Sequence, residues 1–270
     1  MYLFVRKSNL LKTPQQLNNL AMFLIPVAVY LVLSVNTNTR FALKPFEYFL
    51  ILVQAIFFSY LGSVFSLKGI EYAPNPGYSL IISKSYVVFT AVASVFIFNA
   101  SLTVKSVIAI IIIIAFSALI MAGKSKTITK SNKFWLPYTI GAFFCWGLLA
   151  LSSKYLLNVG VPILTRLMYT MLIVTVIILG EIKIKKVNLF TITKSQLMTL
   201  IMIGVFSTSF NYYMQVGFNI APNVGYVNAV NAASISLLTL LSAFLFKDDL
   251  SVKKLIGIAG VTVGLFVLFL

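Results

Sequence analysis

The 270-residue sequence contains no histidine, one cysteine and only five acidic residues. Metal sites are built from clusters of His, Cys or Asp, and general acid–base chemistry needs a positioned His or carboxylate. A single cysteine, Cys145, excludes an intrachain disulfide. The sequence also lacks Gly-x-Gly-x-x-Gly and P-loop motifs, the usual phosphate-binding signatures of nucleotide-dependent proteins. We therefore expect no enzymatic activity, no metal and no cofactor.

Charged residues of either sign are scarce. They make up 10% of the chain, whereas a soluble domain carries about a quarter, and 60% of the residues are hydrophobic. Uncharged intervals cover residues 13–39, 106–123, 134–153 and 195–246. Each is long enough to cross a bilayer, which takes roughly 20 residues. Because lipid offers backbone groups no hydrogen-bond partner, these segments must be helices, and the sequence predicts an all-α integral membrane protein.

The apolar runs and the polar or proline-containing breaks between them predict nine membrane-spanning helices. We place these helices at residues 19–36, 47–68, 77–98, 105–122, 134–155, 163–180, 196–218, 225–246 and 253–270.

One helix break occurs twice in the sequence. Residues 72–78 read "YAPNPGY" and residues 220–226 read "IAPNVGY", so the motif recurs 148 positions later. The same shift, without a gap, aligns "LTVK" at 102–105 with "LSVK" at 250–253. The chain is therefore interpreted as a tandem duplication. In each motif proline ends one helix and Gly-Tyr begins the next, and we predict hinges at these positions. The hinge residues are Pro74, Gly77, Pro222 and Gly225.

The duplication predicts a first repeat at 1–123, a basic linker at 124–133 and a second repeat at 134–270. Met1 aligns with Leu149, so the first repeat retains only a stub of the helix that opens the second one. Either the start codon is misassigned or the first repeat is shortened. With that helix restored, each repeat has five spans, and an odd number makes the two repeats inverted. Many secondary transporters have this organisation, with a substrate site near the midplane between the repeats.

Two stretches resemble a known family. "FFCWGLLALSSKYLL" resembles the first helix of an EamA-type repeat, and "KDDLSVKK" with "IGIAGVTVGLFVL" resembles the end of such a repeat. The chain is similar to the EamA branch of the drug/metabolite transporter superfamily, which has ten helices in two inverted five-helix repeats. Two features depart from that pattern: the first helix is truncated, and Asn99 or Ala100 replaces the acidic residue common after the fourth helix.

The resemblance implies a central cavity lined by the first, third and fourth helices of each repeat. The second and fifth helices are expected outside this cavity. By position the cavity helices are 47–68, 77–98, 134–155, 196–218 and 225–246.

Polar side chains are concentrated in those spans. Asn228, Asn231 and Ser234 step by three and share one helix face. Such residues either line a cavity or link neighbouring helices by hydrogen bonds. The candidate substrate-binding residues are Lys84, Tyr86, Ser207, Asn211, Tyr212, Gln215, Asn228, Asn231 and Trp146.

Lys84 stands out because it lies within an otherwise neutral span. A lysine at the centre of a span costs about 2.5–3.5 kcal/mol on insertion scales. If Lys84 faces a cavity, its ammonium favours a ligand with a carboxylate or phosphate. The alternative is that the side chain extends to the lipid headgroups. Lys154 and Arg166 lie near span ends and are expected at the membrane interface.

The acidic residues lie at or near span ends: Glu47, Glu71, Glu181, Asp248 and Asp249. A proton relay needs a titratable group in the pathway, so this distribution disfavours a cation/proton antiporter. The sequence favours a secondary transporter or exporter of a small polar metabolite, which is amino-acid-like, zwitterionic or anionic. The alternatives are a carrier of a sugar-phosphate, nucleotide-sugar or lipid-linked sugar, and a non-transporting membrane assembly protein.

The net charge is +16. Most basic residues lie in short loops at span ends, and no basic face is interleaved with aromatics, so nucleic acid is not an expected partner. We expect a small-molecule substrate and membrane lipid as partners, a monomer or homodimer, and a location in the cell membrane. The side richer in basic loops is expected in the cytoplasm. That rule puts Leu270 outside, whereas the family resemblance implies a cytoplasmic C-terminus.

Overall fold

In a computed structural model, the described residues are 1–74, 76–122, 134–187, 192–247 and 250–270, and none of these forms a strand. A π-helical segment, Gln54–Tyr60, lies between α3 and α4. The first part of the chain contains α1 (Tyr2–Leu10), α2 (Gln15–Asn36), α3 (Pro45–Val53), α4 (Leu61–Tyr72), α5 (Pro76–Lys84), α6 (Tyr86–Phe98) and α7 (Val104–Met121). The second part contains α8 (Trp135–Asn158), α9 (Ile163–Ile184), α10 (Lys194–Ile220), α11 (Val224–Phe246) and α12 (Val252–Phe269).

Within the described residues, nine helical stretches are long and apolar enough to cross a membrane. The prediction of an all-α membrane protein with nine full spans is confirmed, and the short helix α1 precedes them. Several spans extend a few residues beyond the predicted limits, as with Pro45–Tyr72 against 47–68. The predicted linker 124–133 lies outside the described residues, as do Asn75, Asp248 and Asp249.

Helix limits recur at the offset of 148 that relates the two sequence repeats. Adding 148 to the limits of α2, Gln15–Asn36, gives those of α9, Ile163–Ile184. The same operation converts α7, Val104–Met121, into α12, Val252–Phe269. The secondary structure thus follows the duplication read from the APN-x-GY motif.

The positive-φ residues repeat in the same way. Left-handed φ is uncommon outside glycine and is set by local turn geometry. Each such residue in the first part of the chain has a left-handed partner 148 positions later, which indicates that equivalent turns end equivalent helices. The pairs are Lys12 with Gly160, Asn38 with Lys186, and Asn99 with Lys247.

The two copies differ in helix regularity. Helix α10 is continuous, whereas its counterpart is divided by the π-helical segment Gln54–Tyr60. Helix α11 is also continuous, whereas its counterpart is interrupted at Ser85, between α5 and α6. The Ser85 hydroxyl donates to the carbonyl of Ile82 at 2.6 Å, a local bond that competes with helical hydrogen bonding.

By internal contacts the chain divides into two compact units, and each combines segments from both sequence repeats. Unit 1 comprises Met1–Ile56 and Tyr155–Asn219, and unit 2 comprises Phe57–Lys154 and Ile220–Leu270. In unit 1, α9 packs against α2 and α3. In unit 2, α7 packs against α12, and α11 packs against α6 and α7.

Small residues allow α12 to approach α7 closely. Gly257, Gly260 and Gly264 lie on one face of α12 and are buried. A Cβ on Gly264 would lie 2.7 Å from Cγ1 of Ile113, so larger side chains do not fit at this contact. Such packing of small residues is typical of helix pairs in membranes, where burial from water contributes little.

Candidate functional site

In unit 2, α11 is linked to α6 through two asparagines on one face. Asn228 Nδ2 donates to Thr90 Oγ1 at 2.9 Å, and Asn231 Nδ2 lies 3.4 Å from the Tyr86 hydroxyl. Asn228 is only 1% exposed, yet its Oδ1 has no hydrogen-bond partner in the described part of the chain. Ser234, the third residue in the predicted row, is exposed and donates to the carbonyl of Asn231 in its own helix. The structure therefore brings Tyr86 together with Asn231 and leaves an enclosed amide oxygen on Asn228.

Lys84 and Trp146 also belong to unit 2. Lys84 is the last residue of α5 and is partly exposed. Its ammonium makes no hydrogen bond or ion pair with any residue that the structure describes. Trp146 lies beside Gly62, where an added Cβ would be 3.8 Å from the indole Cε2. Lys84 is the eighth residue of the span that begins at Gly77, so its charge lies within a membrane-spanning stretch.

The other four predicted binding residues lie on α10 in unit 1. Ser207 donates to the carbonyl of Met22 at 2.8 Å, and Asn211 Nδ2 donates to the carbonyl of Ser207 at 2.9 Å. These bonds join α10 to α2 and fix Asn211 against its own helix. Tyr212 packs edge-on against Tyr213, with ring centroids 5.8 Å apart.

Gln215, also on α10, is buried, and of these four side chains only that of Ser207 is less exposed. It is 5% exposed, and its Oε1 has no hydrogen-bond partner among the described residues. Gln215 thus resembles Asn228, since both present a buried amide oxygen with unused capacity.

The predicted hinges lie at the two helix breaks. Pro74 is exposed after α4 ends at Tyr72, and Pro222 is exposed after α10 ends at Ile220. Gly77 and Gly225 are buried in the first turns of α5 and α11. Whether these positions act as hinges stays a prediction.

Arg166, which the sequence interpretation expected at the membrane interface, lies in the first turn of α9 and is buried by protein. It is 2% exposed, and its Nε and Nη2 donate to Gln54 Oε1 at 3.1 and 3.0 Å. The reason is packing: α9 lies against α2 and α3, and these helices enclose its first turn. The sequence signal that could have found the pair is the lone amide of Gln54 within an apolar run.

The model of the EamA-like transporter family matches residues 133–270, just over half of the chain. The chain belongs to the EamA-like transporter family. A solved crystal structure has the same fold, with a TM-score of 0.80 and 15% identity, over 99% of this chain and 91% of that one. No curated protein matches the sequence. Family and fold together identify a multi-pass membrane transporter.

The candidate residues of this EamA-like transporter divide between the matched and unmatched regions. Trp146, the α10 residues, Asn228 and Asn231 lie within the match, whereas Lys84 and Tyr86 precede it. The bond between Asn231 and Tyr86 therefore joins one residue of each copy. The candidate site of unit 2 thus depends on the first copy as well as on the part that the family model recognises.

Proposed function

We propose that this EamA-like transporter moves a small polar metabolite, amino-acid-like and zwitterionic or anionic, across the cytoplasmic membrane by alternating access. The supporting observation is the pair of buried amide oxygens, on Asn228 and Gln215, that lack hydrogen-bond partners among the described residues. Leaving such a group unpaired in an apolar environment costs about 1–3 kcal/mol. One of these oxygens lies in each unit, and a solute with N–H or O–H donors would satisfy the acceptor of the unit that binds it.

The charges of the described spans further limit the chemical class of the solute. The described acids, Glu47, Glu71 and Glu181, lie toward helix ends, and Glu47 Oε2 accepts from the backbone N–H of Lys44 at 2.8 Å. A substrate ammonium would therefore be bound by neutral amide and hydroxyl oxygens. Such a site suits a zwitterion, whose own carboxylate balances the ammonium, better than a simple cation.

Transport can be tested with the purified protein in liposomes and a panel of labelled amino acids. We expect exchange of at least one of them, and Asn228→Ala should reduce its rate roughly tenfold, as loss of a hydrogen bond to a charged group would. Ser209→Ala is the matched control, because that exposed hydroxyl bonds only to its own helix at Val205. Liposomes that exchange none of the panel, nor the phosphorylated solutes below, would instead favour a non-transporting assembly protein.

A sugar-phosphate, nucleotide-sugar or lipid-linked sugar is the second candidate cargo, because Lys84 offers an ammonium within a span. Lys84→Met should then abolish transport of the phosphorylated solute, while Lys84→Arg should retain part of it. Unchanged transport by Lys84→Met would contradict this candidate.

A further inference from the structure

We infer that Arg166, Gln54 and Thr170 form an enclosed site in unit 1 that binds the carboxylate or phosphate group of an anionic solute. This inference rests on the proposed transport of a polar solute and narrows its chemistry. It concerns residues outside the set that the sequence analysis selected for binding.

The three side chains are buried, and two of them share one face of α9. Arg166 and Thr170 are one helical turn apart on α9 and therefore lie on the same face. Both are buried, and Gln54 is completely enclosed. The Arg166 guanidinium donates two hydrogen bonds to the single oxygen of the Gln54 side chain. The same Nε and Nη2 edge of a guanidinium bonds the oxygens of a carboxylate or phosphate, so the amide oxygen occupies a position that one oxygen of an anion could take.

Unused hydrogen-bonding capacity surrounds this cation. Among the described residues, Gln54 Nε2 has no acceptor and Thr170 Oγ1 has no partner. Buried polar groups are nearly always satisfied, and each exception calls for an explanation such as a water, an ion or a ligand. Two groups able to donate, one on the partner of the guanidinium and one a helical turn along α9, favour a ligand that carries negatively charged oxygens.

The duplication argues against a purely architectural role for the cluster. Subtracting 148 from Arg166 and Thr170 gives Asn18 and Met22, and adding 148 to Gln54 gives Met202. A contact needed only to hold the repeated fold would be expected in both copies, yet the counterpart has no cation. Gln54 also opens the π-helical segment, and such segments occur frequently at functional sites.

Gln54→Glu is the sharpest probe, because it places a carboxylate where we expect the ligand's own. The variant should keep or raise its melting temperature, since the introduced carboxylate would pair with Arg166. It should also lose anion binding, because the introduced carboxylate would occupy the site and repel an anionic ligand. Arg166→Gln should weaken anion binding about tenfold to a hundredfold, and Arg166→Lys should retain part of it.

The measurement is thermal unfolding of the full-length purified protein with matched pairs of solutes. L-Glutamate is compared with L-glutamine, and glucose 6-phosphate with glucose. We expect at least one anion to raise the melting temperature of the wild type more than its neutral counterpart, because a ligand of the folded state stabilises it. That shift should vanish in Gln54→Glu and persist in Lys105→Met, which removes an exposed cation of unit 2.

Two results would overturn the inference. One is an anion-specific rise in melting temperature that survives in Gln54→Glu. That result would give the cluster a purely structural role, with water bound to the unsatisfied atoms. The other is the absence of any anion-specific shift in the wild type. Exchange of neutral or zwitterionic solutes in liposomes would then still support the proposed function, so the two failures are distinguishable.

Discussion

At the scale of single residues, Asn223 fixes the second helix break through both the oxygen and the nitrogen of its side-chain amide. Its Oδ1 accepts from the backbone N–H of Gly225 at 2.8 Å and caps α11. Its Nδ2 donates to the carbonyls of Ala91 and Ser101, at 3.1 and 3.3 Å. The break is therefore anchored to α6 and to the turn that follows it, and Gly225 is held directly against the backbone of Ala91.

Gly225→Ala should destabilise the protein by about 1–3 kcal/mol, because an added Cβ would lie 2.6 Å from Cα of Ala91. The matched control is Gly180→Ala on α9, where no heavy atom lies within 4 Å of the added Cβ. That control should be neutral or stabilising by up to about 1 kcal/mol, because alanine favours helix. Thermal unfolding in detergent compares the two, and equal melting temperatures would contradict the close approach.

Residue-level prediction from the sequence succeeded where helical periodicity was sufficient. The three-residue spacing of Asn228 and Asn231 predicted one shared face, and both reach α6. The burial of Arg166 was not predicted, because distance from a span end does not reveal which helices cover that end. The pairing of Gln54 with Arg166 could not be predicted either, since the two residues are 112 positions apart in the sequence.

At the scale of helices, span positions follow from hydropathy, but irregularities within spans do not. The apolar runs predicted every span to within a few residues. The π-helical segment and the interruption at Ser85 are absent from the corresponding helices of the second copy. They depend on local hydrogen bonds and packing, which hydropathy does not encode.

The pairing of α7 with α12 gives a test at this scale. In Gly260→Ala the new methyl group would overlap the ring of Phe116, so we expect a loss of about 1–3 kcal/mol. Combining it with Phe116→Leu should recover part of that loss by freeing space at the contact. Unfolding measurements on both single variants and the double variant would show the coupling. Additive effects would contradict direct contact between the two positions.

At the scale of the whole molecule, the offset of 148 predicts the path of the chain through the membrane. Five spans separate a loop from its counterpart, so counterpart loops should face opposite sides. Thr37 and Lys185 are such a pair, and both side chains are exposed in the short turns after α2 and α9.

Single cysteines at these positions would test this topology. In a Cys145→Ala background, Thr37→Cys should react with a membrane-impermeant thiol reagent in intact cells. Lys185→Cys should react only after permeabilisation, because the side whose loops hold more basic residues is expected in the cytoplasm. Labelling of both on one side would contradict the inverted repeat, and a reversed pattern would favour the orientation implied by the family.

The division of each unit between distant segments has a consequence for biosynthesis. Unit 1 needs residues up to Asn219, although its first segment ends at Ile56. At elongation rates of about 5–20 residues per second, the early helices wait roughly ten to thirty seconds for their partners. For part of that interval Gln54 lacks its hydrogen-bond partner, because Arg166 follows it by 112 residues. Final packing of unit 1 is therefore expected only late in synthesis, after α9 and α10 have been made.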